Sequence, residues 1–148
     1  MASPDDQLEG FIAKFEPALA DNARACLAAL RHRLPTALQL VYDNYNALAI
    51  GFCASDRASD CVVSLAVTPR GPALSFYYGS SLPDPDGVLS GAGNQNRYIR
   101  LTSASVLAEP AVEALIQAAL AQAKTPMPAA GPGPLIIKPV SARQRPRR

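Results

Sequence analysis

The chain has 148 residues, 49% of them hydrophobic and 18% charged, with no tryptophan and a formal net charge of +2. This length and composition indicate one globular domain with its own core and exclude a disordered or low-complexity chain. No apolar run approaches the roughly 20 residues that span a bilayer, and the polar, acidic start lacks the basic and apolar regions of a secretory signal. We therefore expect a cytoplasmic protein that does not enter a membrane.

Helical periodicity marks the beginning of the chain and one later segment. The first helix is predicted from Ser3, a good N-cap, with Pro4 at the first helical position. Pro17 interrupts or restarts it, and a second helical run covers residues 21–35. A third helix is predicted over residues 109–124, where apolar residues again recur at helical spacing.

Between the second and third helices the apolar residues alternate, which predicts strands joined mainly by hairpins. The predicted strands are residues 38–45, 46–54, 61–68, 73–79 and 97–103. Helices flanking a run of hairpin-linked strands predict an α+β fold, an antiparallel twisted sheet of five to six strands with the helices on one face.

The domain prediction places one α+β domain at residues 1–124 and a Pro/Gly-rich linker at 125–134. Residues 135–148 are predicted to add an edge strand, the only place where Pro139 is tolerated, followed by a loose basic tail. The charge supports this division: residues 1–134 hold nine basic and twelve acidic residues, a net charge of −3, whereas residues 135–148 hold five basic residues and no acid.

Alternation along the strands separates large apolar residues, expected to pack on the helices, from a second set of small or polar residues. Small side chains leave room for a ligand, a partner chain or the protein's own C-terminal segment, while the ordinary alternative is a solvated surface. The candidate ligand-binding residues on or beside this second face are Tyr42, Asp43, Tyr45, Tyr77, Asn94, Arg97, Tyr98 and Arg100.

The three cysteines, Cys26, Cys53 and Cys61, form no CxxC motif and are interpreted as small buried thiols. Strict alternation assigns Cys53 and Cys61 to opposite faces of the sheet, so no disulfide is expected between them. His32 is the only histidine, and no cluster of ligands at metal-binding spacing accompanies it, so no metal site is predicted.

The glycine-containing stretch LSGAGNQNRYIRL, residues 89–101, invites comparison with phosphate-binding loops. Nucleotide-binding loops lie between a strand and the N-terminus of a helix, whereas here a predicted strand follows Gly91 and Gly93, which excludes that class. A backbone anion nest with Arg97 and Arg100 is the alternative. No nucleophile stands with a base, so we predict no enzymatic activity.

The same stretch resembles the hallmark of the YdhG-like domains of unknown function, grouped with the YjbR/CyaY (frataxin-like) superfamily. The resemblance extends to LPTALQLVYDNYNALAIGF, LPDPDGVLSGAGNQNRYIRL and SARQRPRR. It implies a frataxin-like α+β sandwich and, by analogy alone, iron binding on an acidic ridge of the first helix and a neighbouring strand. No cofactor is predicted beyond that analogy, because helical turns and Lys14 separate the acidic residues Asp5, Asp6, Glu9, Glu16 and Asp21.

These observations predict a non-catalytic binding module for a small ligand or a partner protein, acting as a monomer or homodimer. The alternative is an adaptor that binds nucleic acid or an acidic partner through basic residues of the tail, which would neutralise phosphates. Its candidate residues are Arg143, Arg145, Arg147 and Arg148. No aromatic residue stands between these arginines to stack on bases, which favours a solubilising end instead.

Overall fold

The computed structural model describes residues 2–148 and contains a six-stranded sheet with three helices. The helices are α1 (Pro4–Ile12), α2 (Pro17–Arg33) and α3 (Pro110–Gln122). The strands are β1 (Leu38–Asp43), β2 (Leu48–Cys53), β3 (Cys61–Thr68), β4 (Gly71–Phe76), β5 (Arg97–Arg100) and β6 (Leu135–Ile137). The predicted α+β class is confirmed.

The strand order in the sheet is β5-β4-β3-β2-β1-β6, so strands 1 to 5 form an antiparallel meander. The last strand differs from the antiparallel expectation, because β6 pairs with β1 in parallel and makes the sheet mixed. The linker after α3 brings Pro134 beside Gln39 at the start of β1, where the Gln39 N–H donates to the Pro134 carbonyl at 2.9 Å. β1 and β6 therefore begin at the same end of the sheet and run in the same direction.

Local chemistry explains where the first two helices begin. The Ser3 hydroxyl accepts a hydrogen bond from the Asp6 N–H at 3.1 Å and caps α1, with Pro4 next in the chain. Pro17 restarts the helix, and the Glu16 carboxylate accepts from the Ala18 and Leu19 N–H groups, both at 3.3 Å. The proline pattern therefore predicted the break between α1 and α2 correctly.

The core lies between the helices and one face of the sheet, which we call the helix face. Phe15, Phe52 and Phe76 are its largest fully buried side chains. Apolar residues from all three helices join this core, whereas the opposite side of the sheet has only a small separate cluster around Leu40 and Cys53. The opposite side, which no helix covers, is the open face.

Within residues 2–148, no helix combines the length and the apolar character that crossing a bilayer requires.

Candidate functional site

The open face is built from rows of small residues that cross several strands. The strand registers align Tyr98, Ser75, Ser64, Gly51 and Leu40 in one row. They align Arg100, Ala73, Ala66, Ala49 and Tyr42 in the next. In each row the central strands carry only glycine, alanine or serine, so the middle of the open face is lower than its borders.

A cleft of about 290 Å³ occupies this depression and is the candidate binding site. Ala49, Gly51 and Ser64 belong to its floor. Tyr42 on β1 and Tyr77, in the turn directly after β4, line it on either side. The remaining lining residues are Leu40, Asn44, Cys53, Ala58, Cys61, Ser75 and Asn96. No charged side chain lines this open-face cleft. Two of the eight candidate ligand-binding residues, Tyr42 and Tyr77, therefore belong to it.

Cys53 and Cys61 both line the open-face cleft, so the prediction that they point to opposite faces is wrong. The reason is a bulge: Phe52 pairs with Val63, but Cys53 pairs with Cys61, which leaves Val62 as an extra residue in β3. A bulge interrupts the two-residue period of a strand. Val62 consequently packs in the helix-face core, and Cys61 lies on the open face beside Cys53.

The two thiols influence each other's ionisation. Their mutual hydrogen bond, followed by burial, raises the pKa of Cys53. The hydrogen bond from Cys53 lowers the pKa of Cys61, and the backbone of Phe52 adds to this effect against the cost of burial. The pKa of Cys61 is therefore the lower of the two, and its Sγ also lies 3.4 Å from the Val63 carbonyl oxygen.

Tyr98 and Arg100 lie on the open face at its β5 border, beside the cleft and outside its lining. The Arg100 guanidinium carbon lies 5.3 Å from the Tyr98 ring centroid, a cation–π arrangement. Tyr98 is half-buried and Arg100 is exposed. This pair borders the cleft with a positive charge but contributes no atom to its floor.

The glycine-containing loop before β5 is a turn that leads into the strand. Arg97 Nη1 donates to the carbonyls of Gly93 at 2.6 Å and Asn96 at 2.8 Å, so its guanidinium binds the loop itself. Ser90 pairs with Tyr98 through two backbone hydrogen bonds of 2.8 and 3.0 Å, which extends the sheet edge. Asn94, another candidate residue, is exposed on this loop.

Asp43 does not line the cleft, although its chain neighbours Tyr42 and Asn44 do. The Asp43 carboxylate is fully buried, with Lys14 Nζ at 2.7 Å and Arg147 Nη2 at 3.0 Å. Burial alone would raise its pKa, but hydrogen bonds from Lys14, Gln144 and Arg147 outweigh burial and hold the pKa below the ordinary value. Asp43 therefore anchors the C-terminal segment.

The basic tail, residues 141–148, is folded against the domain, which corrects the expectation of a loose end. The Ser141 N–H donates to the Asp43 carbonyl at 3.1 Å, and the Arg145 N–H donates to the Tyr45 carbonyl at 2.8 Å. Tyr45 itself is an exposed residue of the β1–β2 turn. The tail thus binds the end of β1 through backbone and side-chain contacts together.

The four tail arginines do not form one open cluster. Arg147 is buried at 6% exposure, and its guanidinium carbon lies 5.6 Å from the Phe15 ring centroid. Arg148 donates to the carbonyls of Lys14 and Ala13, at 3.1 and 3.3 Å. Arg143 and Arg145 are exposed.

Sequence reasoning missed a second cavity of about 390 Å³ at the C-terminal end of α3. Val62, Phe76 and Ala119 contribute apolar surface to it, and Arg57 and Lys124 contribute positive charge. The bulge that turns Val62 toward the helices creates part of this lining, and a bulge is not visible in a single sequence. The alternation of apolar and polar residues therefore could not predict this cavity.

Three acidic residues of the first two helices form ion pairs with arginines. Arg24 pairs with Glu9 and Asp21 at 2.5 and 2.8 Å, and Arg31 lies 3.4 Å from Asp5. Among the described residues, no group of three or more histidine, cysteine, aspartate or glutamate side chains is arranged to hold a metal ion. This arrangement does not fit an acidic iron-binding ridge.

Comparisons of the chain with protein-family models, with curated proteins and with solved structures found no match.

Proposed function

We propose that the protein is a non-catalytic binding module whose open-face cleft holds a small ligand or a side chain of a partner protein. The observation that carries the proposal is the cleft itself, a depression of about 290 Å³ in a face that the fold leaves without a helix. Kinship with the YdhG-like domains, a cytoplasmic location and a monomeric or homodimeric state belong to the same proposal.

The lining indicates the chemistry of the ligand. Tyr42 and Tyr77 supply aromatic surface, the floor is small and permits close approach, and Asn44, Asn96 and Ser64 supply hydrogen-bonding groups. Protein sites for drug-sized ligands have volumes of roughly 300 to 1,000 Å³, so this cleft suits a compact molecule. Without a charged lining residue, a flat and mainly uncharged ligand fits better than a multiply charged anion.

Native mass spectrometry of the full chain, purified gently from its natural host, is the first test. A reproducible additional mass would identify the ligand, and its loss in Ser64→Phe, where the new ring fills the cleft, would locate it. Thr68→Phe is the matched control, because Thr68 lies on the same strand and outside the lining. Retention of the additional mass by Ser64→Phe contradicts the site.

A nuclear magnetic resonance titration with indole tests the cleft even if the protein is purified without a ligand. We expect amide shifts centred on Ala49, Gly51 and Ser64, and their absence in the Ser64→Phe variant. Shifts spread evenly over the surface, or none at all, together with a bare mass spectrum, contradict the proposal.

The alternative of a nucleic-acid adaptor relies on Arg143, Arg145 and Arg148, the three exposed tail arginines. If the tail binds nucleic acid, replacing all three by alanine abolishes retention of a labelled single strand at low salt. Unchanged retention excludes the tail as the binding element.

A further inference from the structure

Two thiols, those of Cys53 and Cys61, lie side by side in the lining of the open-face cleft. Cys53 and Cys61 are directly opposite each other on antiparallel strands. Such partners have Cα atoms about 4.5 to 5.5 Å apart, inside the range of about 4.4 to 6.8 Å found in disulfides. Their cross-strand pairing is therefore compatible with a disulfide.

Gly51 shows that the two sulfur atoms also converge. A Cβ atom placed on Gly51 would lie 3.1 Å from the Cys61 sulfur and 3.3 Å from the Cys53 sulfur. Both sulfurs thus lean over the same glycine from neighbouring positions. The absence of a side chain at Gly51 leaves them the space to do so.

We propose that Cys53 and Cys61 form a dithiol that a hydroperoxide oxidises reversibly to an intramolecular disulfide. The proposal does not depend on the ligand of the cleft. All three cysteines are free thiols, which is the reduced state of this site. The disulfide would join β2 to β3 at the bulge without a change of strand pairing.

The reaction has two steps, in which Cys61 reacts first. The Cys61 thiolate attacks the terminal oxygen of the hydroperoxide, the O–O bond breaks, and the alkoxide leaves with a proton as an alcohol. The Cys53 sulfur then attacks the Cys61 sulfenic acid, forming the S–S bond and releasing water. The two thiols are oxidised by two electrons and the hydroperoxide is reduced by two, and a small-molecule thiol reverses the change by exchange.

The accessibility and the pKa of the two thiols both indicate that Cys61 reacts before Cys53. Cys61 is 9% exposed and lines both the cleft and the second cavity, whereas Cys53 is fully buried. The lowered pKa of Cys61, caused mainly by the hydrogen bond from Cys53, increases its thiolate fraction. Cys53 is then the resolving thiol.

Cys26 provides an internal control in the same chain. It is buried in α2, where burial raises its pKa to about 11, and its Sγ lies 3.5 Å from Asn22 Oδ1. It packs in the helix-face core, on the other side of the sheet from the open-face pair. Cys26 should remain a thiol under conditions that oxidise the pair.

The chain is well suited to a peptide-mapping test, because Arg57 is the only basic residue between the two cysteines. Full-length, reduced protein is treated with cumene hydroperoxide or hydrogen peroxide, blocked with N-ethylmaleimide and digested with trypsin. The disulfide links the peptides 34–57 and 58–70, while Cys26 is carried by the separate peptide 25–31.

We expect the linked peptides in the wild type and in Cys26→Ser, their disappearance after dithiothreitol, and their loss in Cys53→Ser and Cys61→Ser. In Cys53→Ser, dimedone should label Cys61 as a sulfenic acid. In Cys61→Ser, dimedone should not label Cys53. Label on Cys53 in that variant would overturn the proposed order.

The wild type decides the main claim even if a serine variant fails to fold. If all three thiols survive a peroxide dose that oxidises Met127 in the same sample, the proposal is wrong. A linked peptide containing Cys26 at the expense of the 34–57 and 58–70 pair would overturn it as well.

Discussion

The two faces of the sheet use the same strands for different purposes. On the helix face, Phe52 and Phe76 are buried by the helices and supply hydrophobic stabilisation. On the open face, β2, β3 and β4 carry Gly51, Ser64 and Ser75, which bury little apolar area. The comparison indicates that stability is concentrated on one face, and that the other face can serve binding because the core does not depend on it.

The largest expected effect tests this division directly. Phe52→Ala should lower the free energy of unfolding by about 3 to 5 kcal/mol, because it removes a fully buried ring from the core. Ser64→Ala, on the neighbouring strand and the open face, should change it by less than about 0.5 kcal/mol. Urea denaturation measures both, and a large loss in Ser64→Ala would contradict the division.

A second variant tests whether the folded tail contributes to the stability of the domain. Arg147→Ala removes one partner of the buried Asp43 carboxylate and should cost about 3 kcal/mol, since Lys14 still compensates part of the charge. Arg143→Ala is the matched control, because Arg143 is exposed. Equal urea midpoints for the two variants would show that the tail does not contribute to folding.

The pH dependence of stability examines the same cluster without removing a side chain. The pKa of Asp43 is lower in the folded protein than its ordinary value of 3.8, so its contribution is complete above that value. This contribution is lost as the pH falls through the folded pKa. We expect thermal unfolding of the wild type to show a steeper loss below about pH 4 than Asp43→Asn, while identical slopes contradict this assignment.

A modest effect is expected at the border of the open face. Arg100→Ala removes the cation–π contact with Tyr98, which at an exposed position is worth about 0.5 to 1 kcal/mol. Differential scanning calorimetry measures this change. A loss as large as that of Phe52→Ala would mean that the border of the open face is structural and would weaken the comparison between the two faces.

Much of the fold was predictable because the relevant patterns are local. Alternation gave β3 its observed limits, Cys61–Thr68, and Pro110 located the start of α3, whereas α2 begins at Pro17, four residues before the predicted start. The candidate site was predictable in part: alternation assigned Tyr77 to this face, Tyr42 was named as a border residue, and both line the cleft. The binding role of the candidate residues stays a prediction.

The sequence by itself determined the types of the elements and the side of the sheet on which most strand residues lie, because both follow from short-range periodicity. Tertiary structure decided three other features. The bulge that brings Cys53 and Cys61 together depends on how β2 pairs with β3. The parallel pairing of β6, and the burial of Arg147 against Asp43, join segments about a hundred residues apart in the chain. Such contacts depend on long-range pairing and charge burial, which no local pattern encodes.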